Sequence, residues 1–163
     1  MGGAPSFLDC IRARVGAPNL VQDCKDNESE LDLSGMPEMA IVDGDKWAWA
    51  VAADKGNVPK SADRVVFWER RAQASVAVVE LKTAYMRVAD VVGKVQNSLD
   101  DSRRLVSDCG RTLSARDAFP ILVHVSAYPA RIRALAARTV VIDGHQRPII
   151  VAMSSARLAD LVR

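Results

Sequence analysis

Between Met39 and Val125 the chain breaks into short apolar runs separated by polar stretches, and the period of those runs changes partway along. Met39 to Val42 is apolar, Asp43-Gly44 is a tight-turn dipeptide, and Trp47 to Ala52 is apolar again, a pattern that predicts a β-hairpin. A surface loop is expected at 54–59. Arg64 to Trp68 and Ser75 to Leu81 are rich in Val and aromatic residues and flank the polar Glu69 to Gln73, which predicts a second hairpin. From Tyr85 to about Val106 the period lengthens, with Tyr85, Val88, Val92, Val95 and Leu99 on one helical face. Phe119 to Val125 is almost continuously apolar, as expected of a strand buried on both faces, so strand, helix and strand read as a parallel crossover.

The two ends are less sharply patterned. Residues 1–37 are rich in Asp, Asn, Ser, Gly and Pro and read as a loosely organised segment with one short helix near Phe7 to Val15. Toward the other end, Ile132 to Ala137 reads as helical, Thr139 to Ile142 and Pro148 to Ala152 flank the turn Asp143-Gly144, and Ser154 to Val162 closes as an amphipathic helix. The 163 residues therefore form one expected domain: the N-terminal segment, a core at 39–125, and a C-terminal extension at 128–163 with a hairpin and a helix.

Composition narrows the class. With 49% hydrophobic and 26% charged residues the chain can bury a sizeable core, which excludes a disordered tail or a coiled-coil rod. No apolar run approaches the roughly 20 residues of a membrane span, so no membrane association is expected. The start of the chain lacks a basic stretch followed by a long apolar one, so a cytoplasmic location is expected. Cys10, Cys24 and Cys109 form no C-x-x-C pair and read as unpaired thiols of a reducing compartment. The net charge is +2, but residues 1–60 are acidic on balance and residues 61–163 basic. An anionic partner such as nucleic acid suits that asymmetry if the basic residues gather on one face.

The chemistry concentrates at the end of the run Val76-Ala77-Val78-Val79-Glu80-Leu81-Lys82. Residues two apart share a strand face, so Glu80 and Lys82 project together from an apolar strand, where a charge needs a partner, a metal or solvent. Asp63 heads the preceding run; if it lies opposite Glu80, pairing partners sum to 143 and a two-residue turn falls on Arg71-Ala72. Both carboxylates and Lys82 then converge at one end of the sheet, a plausible place for a hard divalent cation. Arg71-Ala72 lacks the Gly or Asn of tight hairpins, so a slipped register or a longer loop is the alternative.

In this arrangement the segment from about Trp47 to Val125 resembles the PD-(D/E)xK nucleases, whose motif is an Asp on the second strand and (D/E)-x-K on the third, matched here by Asp63 and Glu80-Leu81-Lys82. The resemblance implies an α/β fold with a central mixed β-sheet flanked by helices. Its restriction-endonuclease-like core would be a helix, three antiparallel strands, a crossover helix and a fourth strand. It also implies that Asp63, Glu80 and the Leu81 carbonyl bind Mg2+, with Mn2+ as substitute, while Lys82 positions or activates the attacking water. A Gln or Lys in the crossover helix often completes the site; Gln96 matches that element, with Lys94 as a substitute candidate. Two departures stand out: Ala62 replaces the Pro before the motif Asp, and only Glu28 and Glu30 are candidates for a first-helix Glu.

The expected activity is metal-dependent hydrolysis of DNA phosphodiesters, with RNA left open and a homodimer or partner subunit allowed. The alternatives are a catalytically inactive nuclease-fold binding subunit, and an interaction module in which Glu80 and Lys82 form a structural ion pair. Lys94, Arg131, Arg133 and Arg138 are the expected nucleic-acid contacts. Trp47 and Trp49 are read as core residues of one strand face, His124 and His145 as structural, and Asp43-Gly44-Asp45 as a turn rather than a calcium loop.

Overall fold

A computed structural model of the chain describes residues 2–52, 60–82, 87–126 and 129–163. The predicted loop at 54–59 and Tyr85 lie outside them. The second hairpin organises the sheet. β5 (Arg64–Arg70) and β6 (Gln73–Lys82) pair antiparallel from Arg64↔Val79 to Arg70↔Gln73, the register in which partners sum to 143. Arg71 and Ala72 form the two-residue turn, both at positive φ (52° and 61°), the handedness that matches the strand twist.

Helix α1 (Phe7–Val15) is capped by the Ser6 side chain, where the sequence pattern places it. The six-stranded mixed sheet runs in the order β1 (Leu20–Val21), β4 (Met39–Asp43), β5, β6, β7 (Ala118–His124) and β10 (Ile150–Met153). The strands from β1 to β6 are mutually antiparallel, whereas β6, β7 and β10 are parallel. Helix α3 (Val88–Asp108) makes the crossover from β6 to β7, and every residue of β7 is buried, as the apolar run predicts.

On one face of the sheet, α1 and α3 cover Val65, Phe67, Val76, Val78 and Leu122 with Phe7, Ile11, Val91, Val95 and Leu99. On the other, Val66, Trp68, Ala77, Val79, Leu81 and Ile121 pack beneath the small hairpin β2 (Cys24–Asp26) and β3 (Ser29–Leu31), together with α5 (Leu158–Leu161). The helix α4 (Pro129–Ala136) follows β7, and β8 (Thr139–Ile142) pairs with β9 (His145–Pro148) around Asp143-Gly144.

Several expectations are corrected. Trp47 to Ala52 is not a strand but part of helix α2 (Gly44–Ala52), because Asp43 Oδ1 accepts the Lys46 amide as an N-cap does and β4 takes β5 as its partner. The two tryptophans consequently separate: Trp47 is buried edge-on against Phe67, whereas Trp49 is 66% exposed. Ile150–Met153 joins the central sheet rather than the C-terminal hairpin, and the closing helix contracts to Leu158–Leu161.

The N-terminal segment is better ordered than its composition suggests. The β2–β3 hairpin clasps the chain's end through Ser155 N–H to Glu30 O (2.7 Å), Asp32 N–H to Ala156 O (2.8 Å) and Leu158 N–H to Asp32 O (2.8 Å). The thiols are also not all free: α1 and α3 lie together on the sheet, and Cys10 and Cys109 form a disulfide between them. Cys24 alone remains a thiol, buried, with its pKa pushed up to about 12 chiefly by that burial. Among the described residues no helix is long and apolar enough to cross a membrane.

Candidate functional site

Alternation along β6 turns Val76, Val78, Glu80 and Lys82 toward α3, so a strand that packs the core for most of its length ends in two charges on the same face. Glu80 is fully buried. Its Oε1 forms an ion pair with Lys82 Nζ at 2.8 Å and accepts a hydrogen bond from Lys94 Nζ, brought by α3, at 3.0 Å. Its Oε2 is buried and, among the described residues, has no hydrogen-bond partner. Asp63 directly precedes β5, and extending the ladder by one pair sets it opposite Glu80; its Oδ2 accepts the Leu81 amide at 2.7 Å.

The electrostatics follow from that crowding. Burial, and next the charge of Glu80, push the Asp63 pKa up to about 6, against the opposing pull of the Leu81 amide, Lys82 and Lys94. For Lys94, burial works to lower the pKa, but its hydrogen bond to Glu80 and the charges of Glu80 and Asp63 together outweigh it, leaving the ammonium above its ordinary value. Two carboxylates that feel each other, one of them with a buried oxygen unpaired among the described residues, suit a hard cation. The available donors, Asp63, Glu80 and the Leu81 carbonyl, are all oxygen, as magnesium prefers. Among the described residues no cluster of three or more His, Cys, Asp or Glu side chains supplies a fuller cage, so such an ion would keep several waters or substrate oxygens.

A cleft of about 190 Å³ opens at this strand end, walled by Lys60, Glu80, Lys82, Arg87, Asp90 and Lys94. Lys60 pairs with Asp90 at 2.8 Å, and Asn97 Nδ2 donates to the Lys60 carbonyl at 2.9 Å, tying the segment before Asp63 to α3. A wider depression of about 510 Å³ runs farther along α3 past Asp100, Arg103, Arg104, Ser107 and Asp108. The smaller cleft is the candidate site, because it alone of the two contains a buried charge.

Asp63, Glu80 and Lys82 thus come together, and so does Lys94. Gln96 does not. Its Nε2 donates to Asp100 Oδ1 (3.1 Å) and to Val141 O (2.8 Å), and its Oε1 accepts the Val141 amide (2.8 Å), so it pins β8 to α3. Two positions along a helix are about 200° apart, and the face that delivers Lys94 to the strand end turns Gln96 away from it. Arg133 and Arg138 are exposed and Arg131 is half-buried, none of them lining the cleft. Neither Glu28 nor Glu30 sits on a helix: Glu30 belongs to β3 and Glu28 to the turn before it, while α1 carries Asp9 and no Glu.

His124 acquires a neighbourhood that a lone His in an apolar run does not suggest. It is the strand partner of Lys82, is 6% exposed, and its Nδ1 has no hydrogen-bond partner among the described residues. Two residues after Leu122, it shares the face of Glu80 and Lys82. The alternation along β7 carries that signal once the pairing with β6 is known. No protein-family model, curated protein or solved structure matches this chain.

Proposed function

We propose that the chain is a magnesium-dependent nuclease with a restriction-endonuclease-like core, hydrolysing phosphodiester bonds in DNA. One observation carries the reading: Asp63, Glu80 and Lys82 converge at a single strand end, with Glu80 wholly buried and one of its oxygens unpaired among the described residues. The order of α1, the antiparallel β4, β5 and β6, the crossover α3 and the parallel β7 supports it, with α2 as an insertion between β4 and β5.

Asp63, Glu80 and the Leu81 carbonyl would hold the cation. When bound, it supplies charge neutralisation at the phosphoryl oxygens and acidifies water for attack at neutral pH. The chain's own groups do the rest. With both carboxylates ionised, Lys82 and Lys94 bring the cluster to neutrality, so a bound divalent ion leaves it doubly positive and matched to a phosphate. Lys82, tethered to Glu80, holds the attacking water and stabilises negative charge as it develops. Lys94 takes the place that Gln96 was expected to fill, and Lys60 offers a further ammonium at the cleft wall.

A structural ion cluster is the rival reading, favoured by the two lysines already seated on Glu80 Oε1. The Oε2 left unpaired among the described residues and the raised pKa of Asp63 weigh against it, since a self-sufficient cluster would pair the one and offset the burial of the other. Calorimetric titration with Mn2+ and cleavage of single- and double-stranded DNA and RNA separate the two. Parent protein should bind Mn2+ and cut DNA. Glu80→Ala should lose the ion, Lys82→Ala should keep it because a repelling ammonium is gone, and turnover should collapse in both. Parent-like Mn2+ affinity in Glu80→Ala would make the ion-cluster reading the better one.

A further inference from the structure

Asp63 is the cluster member outside any regular element, and the peptide that carries it is gripped from two sides. The Ala62 amide, fully buried, donates to Ser98 Oγ at 2.8 Å. Ser98 is itself 2% exposed and lies one turn beyond Lys94, so one face of α3 delivers an ammonium to Glu80 and a hydroxyl to the amide of the residue before Asp63. From the other side the Gly44 amide donates to the Asp63 carbonyl at 3.0 Å, and a Cβ on Gly44 would come within 1.8 Å of the Ala62 oxygen.

We propose that Ser98 is a positioning residue for cation binding, holding the backbone at Ala62, the residue before Asp63, so that the Asp63 carboxylate stands beside Glu80. The proposal rests on reading Asp63 and Glu80 as ligands. A buried amide deprived of its acceptor has to move to find another, and in a gap closed by Gly44 on the far side that movement carries Asp63 with it. Residues behind a ligand commonly control metal affinity in this way.

Ser102 provides a matched control. It is also fully buried on α3, but its hydroxyl donates to the Ser98 carbonyl at 2.6 Å within the helix and, among the described residues, makes no hydrogen bond to the 60–63 segment. Mn2+ affinity of the purified chain, Ser98→Ala and Ser102→Ala is measured by calorimetry beside thermal melts. Both variants should melt earlier, but only Ser98→Ala should bind Mn2+ more weakly, by about tenfold or more. Ser98→Cys, close in volume and a poor acceptor, should show the same loss and serves if Ser98→Ala does not fold. Affinity within about threefold of the parent in the folded Ser98 variant, or an equal loss in Ser102→Ala, overturns the proposal, because losing a group that orients a metal ligand has a larger and site-specific effect. A parent chain that binds no Mn2+ overturns the ligand reading itself, and this inference with it.

Discussion

The dipeptide Asp-Gly occurs twice, and the two copies do opposite things. Asp143-Gly144 turns β8 into β9 with both residues at positive φ (49° and 76°), and nothing lies within 4 Å of where a Gly144 side chain would begin. Asp43-Gly44 ends β4 and starts α2. Here Asp43 caps the helix through Lys46, and Gly44 serves by having no side chain where the Ala62 carbonyl passes. One glycine is needed for its dihedral freedom and the other for its emptiness. The first need is local and visible in sequence, whereas the second is set by a segment that returns only after α2.

The sharpest way to break this comparison is to put alanine at each glycine. Gly44→Ala should cost about 3 kcal/mol, the upper end of overpacking penalties, because the obstructing atom is backbone and cannot rotate away. It should also abolish Mn2+ binding, since Ala62 and Asp63 must shift to make room. Gly144→Ala meets no neighbour and should cost only about 1 kcal/mol of left-handed strain, with Mn2+ affinity unchanged. Urea unfolding and calorimetry read both quantities; similar losses at the two sites would erase the distinction.

The second test asks whether the Gly44 side of the molecule also holds an electrostatic cost. Asp63 has a folded pKa of about 6 against an ordinary 3.8, so the folded chain binds this proton more tightly than the unfolded one. The contribution favours folding fully below pH 4 and is lost as pH rises through 6. After allowance for partial solvent screening the loss is roughly 2 kcal/mol. In chelator-treated protein Asp63→Asn should flatten this part of the stability profile and be the more stable form at pH 8. Added Mn2+ should stabilise the parent and not the variant. An unchanged slope between pH 4 and 6 in Asp63→Asn would assign the titration elsewhere.

How much of this was legible in the sequence depends on the range over which each feature is determined. The β5–β6 register, and with it the approach of Asp63, Glu80 and Lys82, follows from alternation in two neighbouring runs. The crossover through α3 to a buried β7 follows from a change of period. The rest depends on distant partners. Lys94 rather than Gln96 reaches the strand end because of helix phase against the sheet, and both residue types suit the role chemically. Cys10 and Cys109 meet across a separation of 99 residues. The clasp between β2–β3 and the C-terminal segment is made largely of backbone hydrogen bonds, which leave little mark on composition. Ser98 looks in sequence like any small polar residue of a helix, and only the buried Ala62 amide gives it meaning.

A third two-residue connection refines the rule with the smallest effect. Arg71-Ala72 takes positive φ at both positions without glycine, and it does so because the flanking ladder is specified by other means. Val65 and Phe67 on β5, and Val76 and Val78 on β6, bury one face, and a slip by one residue would turn all of β6 over, sending Glu80 and Lys82 away from α3. Against that cost, left-handed strain of about 1 kcal/mol at Ala72 is tolerable. Ala72→Gly should relieve it, partly offset by the greater freedom of glycine in the unfolded chain, for a net gain of about 0.5 kcal/mol. Mn2+ affinity should not change, because the turn is at the opposite end of β6 from Glu80. A destabilised Ala72→Gly would mean that unfolded-state entropy outweighs strain at this turn, and the dihedral half of the comparison would then need the Gly144 result alone to stand.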